Sequence, residues 1–129
     1  MAIPVTAALT GFCGALMVGL ASRVSQLRMQ HKINLGDGGN PEMVRAIRVH
    51  ANTAEHAPIF ILLTLAYELT RGSTTFLMAV AWLFVLARVA FTAGLLGRGL
   101  HPFRMGGAAG TYLAQAILAV ALLLRALGA

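Results

Sequence analysis

The chain has 129 residues, of which 58% are hydrophobic and 11% charged, against roughly 25% charged in an ordinary soluble domain. Its mean hydropathy is +0.78, and so few charges cannot cover a globule of this size without large exposed apolar patches. Lipid is therefore the expected solvent for much of the surface, and disorder, a disulfide scaffold and a large multidomain enzyme are excluded.

The formal net charge is +6, a balance that raises the question of nucleic acid. The ten Lys and Arg residues sit singly between apolar runs, without the basic stripe and interleaved aromatics of nucleic-acid modules, so no nucleic-acid partner is expected. The single cysteine, Cys13, lies inside an apolar run and reads as a small buried hydrophobe rather than a reactive thiol. No His, Cys, Asp or Glu spacing resembles a metal cage, so no metal is expected.

In chain order, residues 2–22 form a charge-free run, and about 20 residues suffice for a helix to cross the hydrocarbon core. No Lys or Arg precedes the run, and it is long for a signal's apolar segment, so it reads as a retained helix. Gly36-Asp37-Gly38-Gly39-Asn40-Pro41 is a breaker cluster, with Asn40-Pro41 a cap and first-turn pair for a second helix. The apolar part of that helix, residues 57–67, is short. It reaches spanning length only by including Arg45, Arg48, Asn52, Glu55 and His56. A break at Arg71-Gly72-Ser73 precedes a third run, residues 73–97, with the single charge Arg88, and a fourth run, residues 105–124, is charge-free.

The short connections predict antiparallel neighbours. The fold expected is all-α, one integral-membrane up-down-up-down four-helix bundle over residues 1–129, with helices near 2–28, 41–69, 73–97 and 105–126. Arg23, Arg28, Lys32, Arg45, Arg98 and Arg104 fall at the first and third loops, and only Arg71 and Arg125 at the other end. An excess of Lys and Arg marks cytoplasmic loops, so those two loops are expected in the cytoplasm and both termini outside.

Chemistry is expected where polarity is most costly. A charge near the bilayer centre costs about 3 kcal/mol or more, so such residues face a bundle interior or a wet cavity. At about 100° per residue, Arg45, Arg48, Asn52, Glu55 and His56 fall within an arc of about 100°, while His50 points away. One reading is a structural network in which Arg48 and Glu55 neutralise each other and Asn52 bridges helices. The surplus of arginine over carboxylate favours a second reading, an anionic ligand held by guanidinium forks. Glu55 would then hold a ligand's ammonium, and a small zwitterion with extra carboxylates satisfies both signs. His56 beside Glu55 reads as an interfacial histidine or, less simply, as an acid–base pair. Pro58 is expected to kink the helix, and Gly106, Gly107 and Gly110 to allow close helix contact.

Arg45-Ala46-Ile47-Arg48-Val49-His50-Ala51-Asn52-Thr53-Ala54-Glu55-His56-Ala57-Pro58 closely resembles the R-x-x-R-x-H-x-N-x-x-E-x-x-P signature of the MAPEG family, membrane-associated proteins in eicosanoid and glutathione metabolism. The lead-in from Gly36 to Glu42 looks like the bacterial branch. Ala87-Arg88-Val89, and Gly97-Arg98 through Pro102-Phe103-Arg104, are similar to the family's second conserved region.

The resemblance implies a homotrimer in the bacterial inner membrane, with glutathione as co-substrate bound between subunits near the cytosolic face. It implies that Arg48, Asn52 and Glu55, with Arg45 beside them, line the pocket. Arg28, or Lys32, would pair with a carboxylate, Arg88 would contact the ligand, and Arg104 would stabilise the thiolate. A fixed cation beside sulfur raises the reactive thiolate fraction at neutral pH. The second substrate would be lipophilic and arrive through the bilayer. Attack on carbon gives a conjugate, and attack on a hydroperoxide oxygen gives peroxidase chemistry. Well-studied eukaryotic members carry third-helix tyrosines, where this chain has Phe91-Thr92-Ala93-Gly94-Leu95-Leu96; Tyr112 on the fourth helix is a substitute or an interface aromatic.

The expectation is thus a glutathione-dependent transferase or peroxidase acting on lipophilic electrophiles. The alternative is a non-catalytic glutathione- or lipid-binding membrane protein of the same fold. A third class, a small proton-coupled multidrug transporter, is disfavoured because the first helix carries no acid.

Overall fold

A computed structural model describes residues 2–97 and 101–128. Four helices make up the described chain: α1 (Pro4–His31), α2 (Pro41–Arg71), α3 (Thr75–Leu96) and α4 (His101–Ala126). All four expected helices are present. α1 runs one turn further at its C-terminus than expected because Lys32 closes it in the left-handed conformation (φ 54°), donating its N–H to Arg28 O. α4 begins one turn earlier than expected. Arg98, counted among the cationic residues, lies outside the described residues.

Each boundary has a local cause. Asn40 caps α2, its side chain accepting from Glu42 N and Met43 N, with Pro41 in the first turn where its missing N–H costs nothing. Thr74 caps α3 by accepting from Leu77 N. α1 has no such cap of its own: Ile3 stands at the N-cap position and makes no side-chain bond.

α1, α3 and α4 are each long and apolar enough to cross a membrane. α2 falls short on composition because of its polar face, yet at 31 residues it is about 46 Å long and packs against each of the other three. Leu62, Trp82, Leu86 and Leu123 point outward, Trp82 at 61% exposure. Such a belt is costly in water and ordinary in lipid.

The packing is a rhombus. α3 packs most extensively on α4, and α1 on α2; α2 and α3 form the short diagonal, and α1 does not touch α4. The core centres on Phe60 of α2 and Phe84 of α3, stacked 3.9 Å apart with planes 6° from parallel, and Leu9, Cys13, Leu77, Ala114 and Leu118 close around them.

Glycine sets the α3–α4 spacing. A Cβ on Gly107 would fall 2.6 Å from Ala87 O and onto the Phe91 backbone, and one on Gly110 would sit 2.9 Å from Ala87 Cβ. Gly94 of α3 accepts the backbone of Phe103 and Arg104 in the same way, whereas Gly106, expected at the contact, faces open space. Gly106 sits one residue before Gly107, about 100° around the helix, and so misses the seam. Gly107→Ala is expected to cost about 1–3 kcal/mol through overpacking, and Gly106→Ala to be neutral or mildly stabilising through helix propensity. Thermal unfolding of the two variants in detergent checks the pair. Cys13 is buried at 3% exposure, so a maleimide is expected to label it only after denaturation.

Candidate functional site

The α2 face is organised by its neighbours. Val49, Thr53, Ala57 and Phe60 turn into the core, and this leaves Arg48 and Glu55 exposed on the opposite side, with Arg45, Asn52 and His56 half-buried at its edge. Arg48 and Glu55 form no ion pair in this structure; Arg23 with Glu42 is the salt bridge among the described residues. Mutual neutralisation of Arg48 and Glu55 is therefore corrected: they are two turns apart, and both side chains extend outward. Asn52 does bridge helices. Its Oδ1 accepts from Arg88 Nη1 of α3 at 2.9 Å.

Arg88 is the centre of the arrangement. It is 0% exposed, and its guanidinium carbon lies 4.6 Å from the centroid of the Phe91 ring. Asn52 takes one of its nitrogens, while Nε and Nη2 are buried without any partner. A buried cation with unspent donors is costly, because each unmet N–H forfeits its hydration without recompense.

His56 pairs across to α4, where its Nδ1 lies 2.8 Å from Gln115 Oε1 and its ring centroid 5.4 Å from that of Tyr112. The acid–base pairing with Glu55 is not formed, since adjacent helical residues diverge by about 100° and do not face each other. Pro58 lies inside α2, where its missing N–H leaves the Ala54 carbonyl without a helical donor.

The remaining expected residues lie toward the first and third loops. Arg28 donates from Nη1 to Gly36 O at 3.1 Å and Ile33 O at 3.4 Å, tying the α1–α2 loop to its helix. Lys32 is exposed. Arg104 is half-buried in the first turn of α4, its backbone held against Gly94. No side-chain hydrogen bond or ion pair joins Arg28, Lys32 or Arg104 to Asn52 or Arg88 among the described residues. Thr92, the one hydroxyl in the third-helix stretch, has its Oγ1 buried and unpartnered.

Two polar features escape the sequence reading. Gln115 is the one carboxamide in α4, and that isolation in an apolar helix is the signal that marks it. Glu68 is 1% exposed and accepts from Val5 N (3.0 Å), Thr6 N (2.8 Å) and Ser73 Oγ (2.6 Å). It serves the N-terminal donors that an N-cap side chain would serve, from a helix more than sixty residues away in sequence. At the same end Arg125 donates to Thr70 O at 3.1 Å, and these bonds gather the start of α1 and the ends of α2 and α4.

The MAPEG family model matches residues 6–124, which include the whole polar face of α2 together with Arg88, Arg104 and Gln115. The chain belongs to the MAPEG family. Among MAPEG-related sequences, two proteins bearing the name Inner membrane protein YecN, from Escherichia coli K12 and from E. coli O6:H1, are each 34% identical to it over 107 residues. The match covers 82% of this chain and 80% of theirs. This MAPEG chain is a membrane protein of four helices, three of which can span a bilayer by length and composition.

Proposed function

We propose that the protein is a glutathione-dependent transferase or peroxidase of the bacterial inner membrane, acting on lipophilic electrophiles. One observation carries this reading: a half-open polar face of α2 leaves Arg48 and Glu55 exposed and unpaired among the described residues, backed by the buried, incompletely bonded Arg88. Fixed cations answer a tripeptide's two carboxylates and Glu55 its ammonium. The name carried by the YecN relatives supports the inner-membrane assignment. The cationic first and third loops support a cytoplasmic position for those loops and a periplasmic one for the termini.

An exposed Arg and Glu on the flank of a lipid-embedded protomer are costly unless covered. A homotrimer in which neighbouring copies cover this face, with glutathione between them, removes that cost. Arg28, Lys32 and Arg45 then supply positive charge toward the loops. Arg104 stabilises the thiolate, which attacks a second substrate arriving from the bilayer. The sulfur displaces a leaving group at carbon, or takes the terminal oxygen of a hydroperoxide while the other oxygen leaves as an alcohol.

The sealed Thr92 hydroxyl favours a second reading, a protein of the same fold that binds glutathione or lipid without turnover. Conjugation of glutathione to an activated aryl halide by purified protein in detergent decides between them. The expected result is turnover by wild type and a loss of about 100-fold or more in kcat for Arg104→Ala, with Glu55→Ala raising KM for glutathione. Binding without turnover selects the second reading, and no binding removes both.

A further inference from the structure

Gln115 fixes the protonation pattern of His56. Its Nε2 donates to the His56 backbone carbonyl at 3.4 Å, and a carbonyl can only accept. The Gln115 carboxamide is thereby oriented with Oε1 toward the ring, 2.8 Å from His56 Nδ1. An amide oxygen also only accepts, so Nδ1 carries the hydrogen, and in the neutral imidazole Nε2 keeps its lone pair. Nε2 has no protein partner among the described residues, and it is not among the sealed, unpartnered atoms. The Tyr112 ring braces the imidazole from the side.

The same logic orients Asn52. Arg88 can only donate, so Asn52 Oδ1 is turned inward to it and the Asn52 amide nitrogen is left to donate outward. Asn52 and His56 are four residues apart, neighbours on one helix face, with Cβ atoms about 5–6 Å apart. The face therefore offers a neutral donor at Asn52 and, one turn on, a neutral acceptor at His56.

We infer that His56 Nε2 accepts an N–H of the bound ligand and so acts as a specificity-determining residue of the α2 face. The inference rests on the glutathione reading above. Glutathione has two kinds of group that fit this acceptor, the α-ammonium and the peptide N–H, and both place a hydrogen on the lone pair. A ligand of carboxylates alone offers no such hydrogen and leaves Nε2 unpaired.

Calorimetric binding to the detergent-solubilised protein tests this, with glutathione and three analogues. One analogue has the α-ammonium replaced by hydrogen, and the other two have the cysteinyl or the glycyl amide N-methylated. The expected result is that one analogue binds wild type about tenfold more weakly than glutathione, while His56→Phe binds that analogue and glutathione equally. Which analogue does so names the group. If all three analogues keep the same ratio to glutathione on His56→Phe as on wild type, the inference is overturned.

Nitrogen NMR of histidine-labelled wild type gives a second measurement that does not depend on the variant folding. The expected spectrum is that of an Nδ1–H imidazole whose Nε2 resonance shifts on saturation with glutathione. An Nε2–H tautomer, or an Nε2 signal unmoved at saturation, overturns the inference. Wild type that fails to bind glutathione overturns the parent reading together with this one. Binding that is indifferent to His56 removes only the role of His56.

Discussion

Glu68→Ala is expected to destabilise the protein by about 3–5 kcal/mol, because the carboxylate accepts three hydrogen bonds in a buried site and each bond to a charged group is worth about 1.5–3 kcal/mol without full additivity. Removing it strands Val5 N and Thr6 N at the start of a helix that has no cap of its own. Glu68→Gln is expected to lose roughly half as much: its oxygen still accepts, while its amide nitrogen meets donors instead of an acceptor. Unfolding by increasing denaturing detergent gives the stability order wild type, Gln, Ala. Amide exchange at residues 5 and 6 is expected to accelerate well before the core opens. Equal stability of wild type and Ala would show that the network carries no net energy.

Arg88→Met is expected to have the opposite sign in stability and a large effect on binding. Arg88 is buried as deeply as Glu68, but two of its three nitrogens are unspent. A methionine fills comparable space without that cost, and replacing an under-bonded buried charge by an apolar side chain is typically neutral or stabilising by about 1–4 kcal/mol. Asn52 loses its donor but is only half-buried, so water can replace it. Glutathione affinity, by contrast, is expected to fall about 10- to 100-fold, the worth of charge-assisted bonds from the free nitrogens. Arg88→Ala instead leaves a cavity and is expected to destabilise. A more stable Arg88→Met that still binds normally would assign the arginine to architecture alone.

Glu68 and Arg88 also mark how far the sequence could be read. The three apolar spans were legible because each is nearly free of charge, and α2 because Asn40-Pro41 announces its start and its polar residues fall on one arc. Lone polar residues were legible as positions but not as partnerships. Nothing near Glu68 in sequence names the start of α1 as its partner, and nothing near His56 names Gln115. Helix periodicity states which face is polar, not which neighbour meets it. α1 is apolar nearly all round, so its pattern could not tell a helix at a rhombus corner from one in contact with α4. Gly107 and Gly110 were readable as small residues suited to contact, whereas Gly94 needed the α3–α4 register before its closeness to Arg104 had meaning.

The rhombus has a mechanical consequence. With α1 fastened to α2 and α3 locked on α4 through its glycines, the molecule behaves as two stiff hairpins that meet along the α2–α3 diagonal and along the α1–α3 and α2–α4 edges. The bond from Arg88 to Asn52 is the side-chain hydrogen bond that crosses directly between α2 and α3 among the described residues. A guest that engages both residues would rivet the hairpins together and damp their relative rocking, a rigidification that reaches the far ends of all four helices without contacting them.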